Sequence, residues 1–271
     1  MHQIEIGDAQ FSLPGMWAEI PPGKMLDVMP HLFALDRAEA QAELVRLLSN
    51  IPDTVLAYLQ PWQYAEIMAL TDWLWTEPIR EPAWTELEGW VFPAKEGSNM
   101  TLLEYYHAEG FLLAFTEGDA DALHKLCATI LRRLSPSDSF VDRRTAFDPY
   151  RLDHDVAAQT SLDVRVKLYA LWLMHGYRAC IREQFAYLWT GEEDGDVRGN
   201  INFGDDEEID FGWIGTAYSV AEQGVFGDFN AVLRTDIHTV LYYLCHKKQE
   251  ASRRERETES RRDRSPARLR Y

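Results

Sequence analysis

The sequence predicts a mainly α protein, a multi-helix bundle-like or orthogonal packing with a small β-hairpin at its N-terminus. Three observations carry this. Apolar residues recur at helical spacing through most of the 271 positions. Cap residues, prolines and glycines punctuate those blocks at intervals typical of helix ends. Only residues 2–13 alternate as a strand pair does.

In chain order, HQIEIGDAQFSL (2–13) sets Ile4 and Ile6 before a Gly7-Asp8 turn that leads to Phe11 and Leu13, a short hairpin. After Pro14, Trp17 and the breaker Pro21-Pro22, a helix is expected over 24–35 with Met25, Val28, Met29 and Leu32 on one face. Asp36 is placed to cap the next, whose stripe is Ala40, Leu44, Leu47 and Leu48, ending near Asn50. Pro52 and Asp53 start a short piece. Pro61 suits a helix N-terminus ahead of Tyr64, Ile67, Met68, Trp73 and Trp75. Residues 77–100 are interrupted by Pro78, Pro82, Gly89, Pro93 and Gly97 around Trp84 and Trp90. Those aromatics argue for an ordered connection.

The stretch Phe92–Leu134 is the expected centre of the fold. Thr101 and Glu104 form a T-x-x-E capping box, with Met100 and Tyr105 at the hydrophobic-staple positions. The helix beyond them is apolar nearly all round, from Leu102 to Phe115, so neighbours should enclose it. Gly118 ends it and Asp119 can cap a second helix with a stripe of Leu123, Leu126, Cys127, Ile130, Leu131 and Leu134. A buried helical hairpin is the expectation.

Residues 135–160 are polar and read as a connecting loop between an N-terminal region (1–134) and a C-terminal helical region (161–246). In the latter, Val166, Ala170, Leu173, Tyr177, Ile181, Phe185 and Leu188 keep helical spacing, with Gly176 permitting a kink or a close approach. A further helix is expected over 209–223, then a turn at Gly224 and Gly227. Thr235 would cap a last helix carrying Ile237, Val240, Leu241 and Leu244. Residues 247–271 read as a charged tail, frayed or disordered.

The formal charge of −17 is uneven: residues 247–271 carry +5 and residues 1–246 carry −22. So acidic a body disfavours nucleic acid and favours basic protein partners, or serves solubility alone. Cys127, Cys180 and Cys245 lie in separate apolar helical patterns without a C-x-x-C, as reduced structural thiols do. No secretory leader pattern opens the chain and no apolar run approaches membrane length. A cytoplasmic location without membrane contact is expected.

No phosphate-loop, dinucleotide, zincin or nucleophile-elbow motif is present. The loop Asp194 to Asp205 places carboxylates at positions 1, 3 and 12 and Gly199 at position 6 of a calcium-loop template. Arg198 stands where an oxygen ligand belongs, and a solvated acidic loop explains the run better. The carboxylates from Asp205 to Asp210 lack anything to desolvate one selectively. Glu104, Glu109, His107 and His124 have no partners in sequence to complete a ligand set. No catalytic, cofactor-binding or metal residue is assigned, and no enzyme activity is expected. Trp17, Trp84 and Trp90 flank Pro/Gly-rich segments and are either core or the lining of a partner groove.

Segments spread along about half the chain resemble a group of tail-morphogenesis proteins of tailed phages and prophages. They are I-E-I-G-x-x-x-F-S-L-P-x-x-W-x-E-I (Ile4–Ile20), N-M-T-L-x-E-Y-x-x-A-E (Asn99–Glu109), L-x-x-L-x-A-T-I-L-R-R (Leu123–Arg133), F-G-W-x-x-x-x-Y-x-x-A-E-x-G (Phe211–Gly224) and I-x-x-V-L-Y-Y-L (Ile237–Leu244). The resemblance implies a tail assembly chaperone. Such a protein is acidic, helical and non-enzymatic, and works in the host cytoplasm on a tape-measure or tail-tube protein. A structural part of a tail-like particle is the alternative, and a calcium-binding or enzymatic helical protein a third. The segment Tyr218–Leu244, with Phe226 and Phe229 in its turn, is the candidate contact surface.

Overall fold

The computed structural model describes residues 1–135, 142–189 and 212–263. The chain is mainly α and divides into two compact units, one of residues 1–99 and 106–180, the other of residues 100–105 and 181–271.

The first unit opens with the expected hairpin, β1 (His2–Ile6) and β2 (Ala9–Leu13), paired antiparallel with Ile4 opposite Phe11. Gly7 turns it at φ +62°, a conformation that glycine enters without a Cβ clash. Helix α1 (Pro22–Leu32) begins earlier than the periodicity suggests, because a proline in the first turn lacks only an N–H that the helix leaves unbonded anyway. In α2 (Arg37–Leu48) the Asp36 carboxylate accepts the Ala38 and Glu39 N–H groups, at 2.9 and 3.1 Å. Both helices bury the expected stripes, except that Val45 takes the enclosed position expected for Leu47. The short helices α3 (Asp53–Leu56), α4 (Pro61–Ala69) and α5 (Trp73–Thr76) follow.

The connection over 77–100 is ordered around a small sheet. Strands β3 (Glu86–Leu87), β4 (Trp90–Val91) and β5 (Arg132–Arg133) form an antiparallel ladder in the order β3-β4-β5. Helix α6 (Leu102–Thr116) is enclosed as its composition demands: Gly110 and Thr116 alone along it are exposed. Gly118 stops it at φ +103°, and Asp119 caps α7 (Ala120–Ile130) through the Asp121 N–H. Here sequence and structure part. Helix α7 ends at Ile130, Leu131 is extended, and Arg132 and Arg133 pair with Val91 and Trp90. The centre of the fold is thus helix, turn, shorter helix and strand, rather than two helices running to Leu134.

Residues 142–160 also differ from the connecting loop expected there. Arg144 bridges back to Leu134, a 3₁₀ turn spans Pro149–Arg151, and α8 (Leu152–Ala158) packs on α7. The Arg144 side chain is fully enclosed. Its guanidinium donates to the Ile130 and Asn99 carbonyls, both at 3.1 Å, and to the two carboxylate oxygens of Asp142, both at 3.0 Å. This one side chain joins the end of α7, the segment before α6 and its own return strand. The division between units falls instead at Cys180–Ile181, within α9 (Val164–Gln184), and within α6. Gly176 in α9 marks a close approach: a Cβ there would lie 2.3 Å from the Ile79 carbonyl oxygen.

The second unit is built on α10 (Ala186–Trp189), α11 (Gly212–Glu222), α12 (Phe229–Arg234) and α13 (Ile237–Asp263). Its core holds Phe185, Leu188, Trp213, Ala217, Val220, Val232, Ile237, Val240, Leu241 and Leu244. Residues 100–105 join it by backbone pairing: Leu102 N–H donates to Thr235 O, and Ile237 N–H to Met100 O, both at 2.9 Å. The capping box forms reciprocally, with the Glu104 N–H on the Thr101 hydroxyl at 3.2 Å and the Thr101 N–H on the Glu104 carboxylate at 3.4 Å. The last helix is capped by Asp236, which accepts the Thr239 N–H at 2.9 Å; the Thr235 hydroxyl turns back to Ala231 O. That helix continues through Asp263, well into the segment read as a frayed or disordered tail.

Candidate interaction surface

Helices α11 to α13 each bury one face and leave aromatic side chains on another. On α13 the enclosed residues are Ile237, Val240, Leu241 and Leu244, which places Tyr242 and Tyr243 outward. Between α11 and α12 the chain turns through Gly224 and Gly227, both at positive φ, and Asp228 caps α12 through the Ala231 N–H. Two aromatic pairs flank this turn. Tyr218 of α11 stacks on Phe229 of α12 with ring centroids 4.2 Å apart and planes 18° from parallel. Phe226 in the turn meets Tyr243 of α13 edge-on at 5.3 Å.

Their edges remain open. Tyr218 is 55% exposed, and Val225 and Tyr242 are each 57% exposed. The hydroxyls are held from the side: Tyr243 donates to Gln223 Oε1, and Tyr242 accepts from Gln184 Nε2, both at 2.6 Å. Lys247 lies 5.6 Å from the Tyr243 ring centroid. Rigid aromatic rings with few rotatable bonds, each held by a neighbour, are the side chains that anchor protein interfaces most often. The sequence reading named Tyr218, Phe226 and Phe229. Tyr242 and Tyr243 fall inside the expected contact segment Tyr218–Leu244 without being singled out there, and they sit off the 237/240/241/244 stripe, where the helical period places them outward.

The other residues singled out by sequence are structural. Glu109 is paired with Arg178 at 2.7 Å, and Glu104 serves the capping box. His107 lies among Tyr106, Phe111 and Phe147, and burial holds its pKa below the ordinary histidine value. His124 Nδ1 is 3.1 Å from Nζ of Lys167, whose side chain is largely buried. Cys127 and Cys180 are buried and Cys245 half-buried, all three as free thiols. Trp17 donates to Glu77 O at 2.7 Å and meets Trp73 edge-on, Trp84 packs against Phe92 and Tyr169, and Trp90 lies beneath the Arg133 guanidinium. These three are part of the core margin of the first unit. Trp17 also lines a groove of about 690 Å³ with Ile20, Met25, Pro78, Ile79 and Pro82. The Asp194–Asp205 loop and the carboxylates from Asp205 to Asp210 lie outside the described residues.

Among the described residues no group of three or more His, Cys, Asp or Glu is placed to hold a metal ion. No helix among them is long and apolar enough to cross a membrane. The fold and surface define a mainly helical two-unit protein with an exposed aromatic face on one unit. No family model, curated protein or solved structure matches the chain.

Proposed function

We propose that the chain is a non-enzymatic assembly chaperone of phage-tail morphogenesis, which holds a long helical tape-measure-type protein through the aromatic face of its second unit. The observation that carries this reading is the pair of part-exposed aromatic contacts, Tyr218 on Phe229 and Phe226 on Tyr243, beside exposed Val225 and Tyr242. Such a face suits the apolar stripe of an amphipathic helix, whose repeat at three and four residues presents anchors to flat rings. The resemblance of Phe211–Gly224 and Ile237–Leu244 to tail-morphogenesis proteins falls on the helices that bear this face. The acidic body adds charge attraction to Lys- and Arg-rich partner helices and speeds encounter.

The test is co-expression with a long coiled-coil protein of the tape-measure type, followed by affinity and size-exclusion purification. A stable complex is expected, lost in Tyr218→Ser/Tyr242→Ser at unchanged helix content. Recovery of the chain alone under those conditions would sink the reading. Mass spectrometry of purified tails separates a chaperone, absent from the finished particle, from a component that stays.

A further inference from the structure

A second site lies in the first unit, where the C-terminal end of α7, strand β5 and α8 enclose a cleft of about 280 Å³. Its walls carry Arg132, Arg133, Arg151 and His154 against Asp148 and Asp155. Arg133 and Arg151 bring two guanidiniums to so small a space, which stands out in a chain of net charge −17. Arg133 faces Trp90 across the ladder, and its guanidinium sits 3.9 Å from that ring's centroid. Its Nη1 also donates to the Gly89 carbonyl at 3.2 Å. Gly89 holds φ +76°, and a Cβ there would lie 2.7 Å from the same Nη1, so glycine makes the room that this arginine occupies. Arg133 is therefore set in place before any ligand arrives.

Of the other two arginines in the wall, one is engaged and one is open. Arg132 is buried, with Asp142 at 3.5 Å from its Nη2. The Arg151 side chain is exposed and makes no hydrogen bond or ion pair with another described residue. Both wall carboxylates are engaged, Asp148 by the Tyr150 N–H at 3.0 Å and Asp155 by His154 Nδ1 at 3.2 Å. We propose that this cleft binds a phosphate group, free or as the head of a small phosphomonoester. Planar guanidinium forks match phosphate oxygens in pairs, and a dianion gains more from two of them than a carboxylate does. An arginine already held by stacking and a carbonyl loses little freedom on binding. The volume admits a phosphate with a short organic stem. This site is independent of the aromatic face and of the partner proposed for it.

The test is calorimetric titration of the full chain with inorganic phosphate, O-phosphoserine and acetate at constant ionic strength. Saturable one-site binding of phosphate is expected, with acetate weaker; O-phosphoserine tells whether an ester is admitted. Arg151→Gln should weaken phosphate about tenfold and Arg133→Gln/Arg151→Gln should abolish it, at wild-type melting temperature. Should the double variant fail to fold, the exposed Arg151→Gln change alone decides. No saturable binding, equal binding of acetate, or wild-type affinity in Arg151→Gln overturns the proposal.

Discussion

Arg144 stands in a stretch whose polarity reads as surface loop, yet its side chain is among the most enclosed in the first unit. Composition cannot foresee this, because the carbonyls of Ile130 and Asn99 that accept its protons are brought there by the fold. Arg144→Met removes the guanidinium from the Ile130 and Asn99 carbonyls and the nearest cation from Asp142, which keeps Arg132 at 3.5 Å, and a loss of buried hydrogen bonds on this scale costs about 3 kcal/mol. Urea denaturation should show the unfolding free energy fall by that amount, seen as a lower midpoint at unchanged slope. The thiols offer a second test. Burial pushes Cys127 up to about 12, so at pH 8 almost no thiolate exists to react. Labelling with a thiol reagent under native conditions should spare Cys127 until urea unfolds the chain. His107 gives a third. Its folded pKa lies below the unfolded value of about 6.5, so in the window between the two the unfolded chain binds more protons and folding weakens as pH falls. The loss starts as pH drops through about 6.5 and is complete below the folded pKa. His107→Phe keeps the aromatic contacts with Tyr106, Phe111 and Phe147 and should flatten the slope of melting temperature against pH there.

At the scale of elements, much of the helical plan was legible because caps and periodicity are local. Asp36, the Thr101–Glu104 box and Asp119 sit where side-chain chemistry puts them, and the apolar stripes of α1 and α13 follow from spacing alone, as does that of α2 but for Val45 in place of Leu47. What could not be read is non-local. Strand β5 exists because Trp90 and Val91 offer an edge some forty residues away, so a stripe ending in Leu131 and Leu134 looked helical. Thr235 and Asp236 compete for one cap, and the sequence does not say that Thr235 is held by Ala231. Asp236→Ala should cost about 1 kcal/mol and Thr235→Ala less, compared by thermal unfolding. If Thr235→Ala is the costlier change, the cap assignment is wrong. Gly176 was flagged by sequence with two outcomes, and the Ile79 backbone settles it as a close approach. Gly176→Ala puts a methyl carbon inside contact distance of three backbone atoms of Ile79, which cannot rotate away, and should destabilise by about 3 kcal/mol.

At the scale of the whole molecule the charge is the dominant feature, and it was fully legible. Of the candidate aromatic face, the sequence showed the ring residues of α11 and its turn, but not how they pair, since Tyr218 and Phe229 meet only after Gly224 and Gly227 reverse the chain. The charge has its own consequence for stability. Residues 1–246 carry −22, and several exposed ion pairs, such as Arg37–Asp72 and Arg46–Glu43, are each worth well under 1 kcal/mol. Net self-repulsion of the folded state therefore outweighs the local attractions that salt would also weaken. Raising salt from about 20 to about 200 mM shortens the screening length from roughly 20 to roughly 7 Å, relieving the repulsion more than it costs the pairs. The melting temperature should rise over that range, with most of the gain at the low end. A fall would mean that exposed ion pairs hold the fold together more strongly than their geometry implies. The same titration bears on the proposed partner: if a basic helix is drawn by this charge, salt should slow its association far more than it speeds its release.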